Sequence, residues 1–180
     1  TEVTVTSRSG DRCVVRMVHS LFTDRDDWDD ELESFETGWP GFFEVLRLYL
    51  RAFPGQPAAN VVAAATHPGD MAHAWSDLAA ALGVAGVDVS QRCESRSGAP
   101  KLAGWVERIE QKQEFRDVMV RLEAPCPGIA VMGGCVAGGQ TRVMVSLYLY
   151  GDSAADTAAA EAPKWRAWMA QLVDAESAAT

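Results

Sequence analysis

The segment that most restricts the possible fold is Thr141–Tyr150, because its side chains alternate with a period of two. Val143, Val145, Leu147 and Leu149 share one face, and Met144, Ser146, Tyr148 and Tyr150 share the other. A period of two is typical of a β-strand, in which successive side chains point to opposite faces of the sheet. This segment is therefore predicted as the clearest strand of the chain.

Other runs rich in β-branched and apolar residues predict further strands, and the Gly, Pro and Ser clusters between some of them indicate turns. The predicted strands are Asn60–Thr66, Val87–Glu94, Leu102–Glu110, Phe115–Leu122 and Ile129–Val136. Near the start, Thr1–Thr6 and Cys13–Phe22 flank a Ser/Gly/Asp turn, which predicts a β-hairpin.

Three segments have apolar residues at helical spacing. They are Thr37–Phe53, Ala72–Leu82 and Ala158–Ala175. In the first, Thr37 is the candidate N-cap and Pro40 suits an early helical position. Strands and helices together predict an α+β fold.

Composition and charge exclude several classes of protein. Of the 180 residues, 48% are hydrophobic and 23% are charged, which predicts a packed fold rather than disorder. The formal net charge of −9, without a Lys/Arg cluster, opposes binding to nucleic acid. Neither a membrane span nor a signal peptide is recognisable, so a soluble, cytoplasmic protein is expected.

The cysteines and histidines, which are common metal ligands, do not form a recognisable metal-binding pattern. The candidates are Cys13, Cys93, Cys126 and Cys135, with His19, His67 and His73. The cysteines lack CxxC spacing and are predicted to be buried or half-buried thiols. The acidic run 24–31 lacks EF-hand spacing and is interpreted as a solvated helix start. No metal and no cofactor are expected.

Catalytic residues are not assigned either. His19 and His67 could act as general bases beside a carboxylate, but a lone histidine is more often structural. Gly133-Gly134 and Gly138-Gly139 are interpreted as hairpin turns because no GK[ST] sequence follows. The chain contains no G-x-S-x-G sequence that would support a hydrolase.

Two parts of the chain share one plan, a hairpin followed by a helix that opens with Trp. Trp39 and Leu46 end the first part, and Trp165 and Leu172 end the second. A duplication is the simplest account. Residues 1–55 are then the end of one domain and residues 58–175 a second copy, and the start at Thr1 suggests that the front of the first copy is missing.

The Val18-to-Phe22 strand, Trp28, Gly38-Trp39 and the apolar residues after them resemble one known family. Their spacing is similar to the C-terminal end of SRPBCC domains of the activator-of-Hsp90-ATPase-like branch, within the START/Bet v 1 superfamily. Residues 58–175 resemble the same fold more weakly. The resemblance implies a helix-grip fold, in which a curved antiparallel sheet wraps a long C-terminal helix around an apolar cavity.

The function expected from this resemblance is non-catalytic binding of an apolar small molecule such as a lipid or polyketide. The alternatives are a protein-interaction module of the Hsp90 co-chaperone type and a cyclase/aromatase-like enzyme. A protein partner and a homodimer are considered as assemblies. Met and Trp suit adaptable apolar pockets. The predicted lining is Trp105, Phe115, Met119, Met132, Met144 and Tyr148, with Trp165, Trp168 and Met169 opposite. The other interpretation, that these side chains simply fill the core, stays open.

Overall fold

A computed structural model describes residues 1–10, 12–18, 20 and 29–179. The chain divides into two compact units, Thr1–Phe42 and Phe43–Thr180, which we call the N-terminal and C-terminal units. Predictions for His19, Leu21–Trp28 and the acidic residues in that stretch lie outside the described residues. The two-copy arrangement remains a prediction.

The N-terminal unit contains the predicted hairpin. Strands β1 (Glu2–Arg8) and β2 (Arg12–Val18) pair antiparallel, with Glu2 opposite Val18 and Arg8 opposite Arg12. Gly10 adopts a φ of 73° at the turn, a conformation that favours glycine. The described part of the hairpin therefore confirms the sequence pattern.

Helix α1 (Asp29–Ala52) begins eight residues before the predicted start at Thr37. Pro40 accordingly lies inside the helix and not in its first turn, and the N-cap prediction for Thr37 is wrong. Proline can occur inside a helix at the cost of one hydrogen bond.

The C-terminal unit is built on a six-stranded antiparallel sheet in the order β3-β8-β7-β6-β5-β4. The strands are β3 (Ala58–His67), β4 (Arg92–Glu94), β5 (Ala103–Gln111), β6 (Phe115–Ala124), β7 (Gly128–Ala137) and β8 (Gln140–Tyr150). With α2 (Met71–Ala81) and α3 (Ala154–Ala179), this confirms the α+β class.

The predicted strand Val87–Glu94 is mostly a turn. Only Arg92–Glu94 form β4, because the Gln91 N–H bonds to the Asp88 carbonyl at 3.1 Å and Ser90 has a φ of 69°. Before it, α2 starts at the N-cap Asp70, whose Oδ1 accepts the His73 N–H at 2.9 Å. Gly83 follows α2 with a φ of 67°, and a Cβ there would lie 2.0 Å from the Glu94 carbonyl oxygen.

One face of the sheet packs against α2 and α3. The core on this side is formed by apolar residues of the sheet and of both helices. Among them are Val61, Leu78, Met132, Leu147 and Trp165. Along β8 the core residues are Val143, Val145, Leu147 and Leu149, one of the two faces that the alternation predicted. We call this side of the sheet the core face.

The opposite side, which we call the outer face, carries a smaller apolar cluster with the C-terminal part of α1. Val45, Leu48 and Phe53 of α1 pack there with sheet residues that include Met119 and Tyr150. The ring of Phe53 stacks on Tyr150 with centroids 4.7 Å apart. Burial raises the pKa of Tyr150 to about 12. The outer face of β8 is therefore covered at its C-terminal end, where Tyr148 and Tyr150 lie.

The cysteine prediction is correct for three positions and wrong for one. Cys93 and Cys126 are buried and Cys135 is half-buried, but Cys13 is exposed because it lies on the exposed hairpin strand β2. All four are free thiols. Among the described residues, no helix combines the length and the apolar character needed to cross a membrane.

Candidate functional site

Four of the nine predicted ligand-binding residues meet on the core face. Met132 of β7 and Trp165, Trp168 and Met169 of α3 belong to one buried cluster, and none is more than 8% exposed. The rings of Trp165 and Trp168 meet edge to face, with centroids 5.5 Å apart. The structure thus brings these four side chains together between the sheet and α3.

The other five residues lie on the outer face, so the predicted single lining is wrong. Met119 and Tyr148 pack with the α1 cluster, and Trp105, Phe115 and Met144 are 37%, 37% and 42% exposed. The physical reason is the pleat of the strands, in which adjacent residues point to opposite faces. On β6, Val118 and Val120 occupy the core face, which leaves Met119 on the outer face.

The space between the sheet and α3 is occupied by side chains. Trp165, Met132, Leu147 and Leu149 are each 0% exposed, and Met169 is 1% exposed. A void large enough for water would leave the side chains around it accessible to water. These side chains therefore border no water-sized space, which supports the interpretation that they fill the core.

An open depression of about 360 Å³ lies beside α3, at the surface of this core. It is lined by Gly98, Ala99, Pro100, Lys164, Ala167, Trp168 and Gln171. Ser95 holds the adjoining loop, because its Oγ donates to the Pro100 carbonyl at 2.8 Å and accepts from the Leu102 N–H at 2.9 Å. Lys164 pairs with Glu161 of α3 at 2.7 Å.

A row of exposed apolar side chains runs along α1 in the C-terminal unit. Phe43, Leu46 and Leu50 are 40%, 38% and 57% exposed, and their spacing places them on one side of the helix. Val45 and Leu48, on the side that meets the sheet, are 8% and 4% exposed. We call Phe43, Leu46 and Leu50 the α1 stripe.

Charged side chains form a second feature of the outer face. Arg108 of β5 contacts both Glu110 and the buried Asp117 of β6, the latter at 3.4 Å. Asp117 is 5% exposed, and its Oδ1 has no hydrogen-bond partner. Burial raises the pKa of Asp117 to about 6, although Arg108 acts to lower it. Hydrogen bonds from Lys112 and Arg108 lower the pKa of Glu110.

A further ionic network surrounds Trp105. Its indole Nε1 donates to Glu123 at 2.8 Å, and this bond is the main reason that the pKa of Glu123 is lowered. Arg92 also contacts Glu123, at 3.3 Å. The half-exposed indole is thus held by a carboxylate on the neighbouring strand, an arrangement that does not require a ligand.

His67 is a buried structural histidine. It is 3% exposed, its Nδ1 accepts the Gly69 N–H at 3.0 Å, and its Nε2 lies 3.3 Å from Asp77 Oδ2. The Gly69 bond fixes the imidazole on the turn that leads into α2. The described residues contain no group of three or more His, Cys, Asp or Glu side chains arranged to hold a metal.

Sequence reasoning missed Asp117 and its partners. A signal was present, because Asp117 lies between Phe115 and Met119 on the same face of a predicted strand. A carboxylate in the middle of an apolar strand face is uncommon unless it is paired.

Comparison with known proteins adds no relative, since no family model, curated protein or solved structure matches this chain. The candidate surfaces are therefore judged on their geometry alone.

Proposed function

We propose that this chain is a non-catalytic protein-interaction module of the helix-grip type, in which α1 presents the α1 stripe to a partner protein. The observation that carries the proposal is the exposure of Leu46 and Leu50 on a helix whose other side is already buried. Leu50 is 57% exposed, whereas Leu48 is 4% exposed. The helix is thus anchored to the sheet by one side and offers apolar surface on another.

Single exposed apolar residues are common on protein surfaces, whereas a contiguous row of them at helical spacing is uncommon. Leu46 and Leu50 follow the i, i+4 spacing by which an amphipathic helix enters an apolar groove of another protein. We therefore infer a partner that presents such a groove.

The charges around the α1 stripe suit a partner without a strong charge. Glu44 and Arg47 lie 2.7 Å apart and neutralise each other at the surface of α1. Arg51 is paired with Glu107 of β5. Because these charges are already paired, apolar contact rather than ion pairing would supply most of the binding energy.

The helix-grip assignment is supported by an antiparallel sheet followed by a C-terminal helix that packs on its core face. It agrees with the resemblance to SRPBCC domains of the activator-of-Hsp90-ATPase-like branch, whose name points to a chaperone partner. Binding of an apolar molecule inside the helix grip has less support, since the side chains in that space border no water-sized void.

The test is a photo-crosslinking residue placed at Leu50 in the full chain, followed by identification and purification of the captured protein. We expect that protein to bind the wild-type chain and to bind Leu50→Glu at least about tenfold more weakly, because a charge would enter the apolar contact. Affinity is measured by calorimetry.

Val136→Glu is the matched control, because Val136 is 37% exposed in the same unit and follows Ala130 and Met132 on the core face of β7, the side of the sheet opposite α1. It should leave the affinity unchanged. Equal binding of Leu50→Glu and the wild type would contradict the proposal.

The depression beside α3 favours a second candidate function, the binding of an apolar small molecule at the surface. Ala167 and Trp168 line it with apolar atoms, which a small apolar ligand would contact. In native mass spectrometry, we expect a co-purified adduct on the wild-type chain and none on Ala167→Trp, which fills the depression. An adduct-free wild type, or an adduct that Ala167→Trp retains, would reject this candidate.

A further inference from the structure

The two edges of the six-stranded sheet differ in how they are protected. Edge strand β4 has only three residues, and its Arg92 and Glu94 form an ion pair at 3.2 Å. Short length and charged side chains are the usual means by which proteins prevent an edge from pairing with other strands. This edge is therefore closed to pairing.

Edge strand β3 has neither form of protection. It has ten residues in unbroken register with β8, from Ala58 opposite Tyr150 to His67 opposite Thr141. Ala58–Thr66 contains no charged residue and no proline. Within the part of the chain that the structure describes, β8 is its only strand neighbour. Every second residue of β3 therefore directs its backbone N–H and C=O groups away from the sheet.

The side chains of Ala58–Thr66 are uncharged, and α3 packs on the core face of this strand. Val61 and Ala63 are buried on the core face, whereas Val62 is 43% exposed on the outer face. The other outer-face residues of β3 are exposed and small or uncharged, namely Ala58, Asn60, Ala64 and Thr66. Pro57 and Pro68 lie directly before and after the strand and limit the region that can pair, because proline has no N–H to donate.

We propose that β3 pairs antiparallel with β3 of a second copy of this chain, so that the two sheets join across a twofold axis. The free backbone groups require a strand as the occupant. A second copy fits for a geometric reason. A twofold axis normal to the sheet, placed beside Val62 or Ala63, pairs residues of the two β3 strands that lie on the same face of the sheet. In either register, uncharged side chains meet uncharged side chains.

This interface uses backbone groups of β3, whereas the partner proposed above contacts side chains of α1, so the two proposals rest on different residues. Val62→Lys and Leu50→Glu therefore test them separately.

The test is the mass of the full chain in solution, measured by light scattering over a range of concentrations, for the wild type and Val62→Lys. We expect the wild type to form a dimer at high concentration. Val62→Lys should stay at half that mass, since it places two ammonium groups close together at the centre of the interface. A wild type that stays monomeric, or a dimer that Val62→Lys does not weaken, overturns the proposal.

Met144→Lys is the matched control. Met144 is 42% exposed on the same outer face and lies opposite Ala64 on β8, one strand away from the edge. It should dimerise like the wild type. Hydrogen exchange of the wild type is a second measurement that needs no variant. Amide exchange in 58–66 should slow as the concentration rises, and unchanged exchange there also overturns the proposal.

Discussion

Replacing Trp165 with alanine should lower the free energy of unfolding by about 3–5 kcal/mol, the range observed when a large buried aromatic side chain is truncated. Trp165 is 0% exposed, and it meets both Trp168 and the core-face cluster of the sheet. Its removal would leave a cavity in the core-face cluster, to which α2, α3 and several strands contribute. Urea denaturation followed by circular dichroism measures the effect.

Arg166→Ala is the control for this experiment. Arg166 follows Trp165 on α3 but is exposed, so its truncation should change stability by no more than about 0.5 kcal/mol. Trp165→Phe should cost less than Trp165→Ala, because it keeps most of the apolar volume and removes an indole N–H that has no hydrogen-bond partner. A Trp165→Ala variant as stable as the wild type would contradict the assignment of Trp165 to the core.

Replacing Asp117 with asparagine should stabilise the protein at neutral pH by about 3 kcal/mol. The pKa of Asp117 rises from 3.8 to about 6 on folding, and each unit corresponds to about 1.4 kcal/mol. Because the folded state favours the protonated carboxyl, the stability that this group contributes is present below about pH 4. It is lost as the pH rises through about 6. Asparagine is uncharged throughout and avoids this loss.

The measurement is the free energy of unfolding of Asp117→Asn and the wild type from about pH 4 to about pH 7. The difference should be small at the acidic end and largest at neutral pH. Parallel curves for the two proteins would contradict the prediction. The charges of Arg108, Glu110 and Lys112 shift the pKa of Asp117. These three residues are therefore kept as in the wild type in both proteins.

Glu110→Gln is an instructive contrast, because the pKa of Glu110 is lowered. A carboxylate of this kind contributes stability above its unfolded pKa and loses it as the pH falls. Its replacement should therefore destabilise the protein at neutral pH, opposite in sign to Asp117→Asn. Two carboxylates that contact the same Arg108 thus respond differently, because only Asp117 is deeply buried.

The candidate site was predicted in part. Met132, Trp165, Trp168 and Met169 lie together as predicted, since the helical stripe of α3 has to face the sheet. Met119 and Met144 were placed on the wrong face. Period-two alternation separates two faces, but it does not indicate which one meets the C-terminal helix when both carry large apolar residues.

The exposure of the α1 stripe and the open edge of β3 could not be predicted from the sequence. Leu46, Leu48 and Leu50 look equivalent in an apolar helix, and only packing against Tyr150 and Ile129 decides which of them is covered. Likewise, an uncharged strand is ordinary in the centre of a sheet. Its position at the edge follows from the strand order, which depends on contacts between residues distant in the chain.

The sequence by itself determined the elements whose causes are local. The alternation in Thr141–Tyr150, the turn glycines and the helical spacing of apolar residues act over a few residues, so most strands and helices and the α+β class could be predicted. The tertiary structure alone decided which face of the sheet forms the main core, how deeply Asp117 is buried and which surfaces stay exposed. These properties depend on the packing of distant segments, because burial and desolvation are set by all neighbours in space and not by neighbours in sequence.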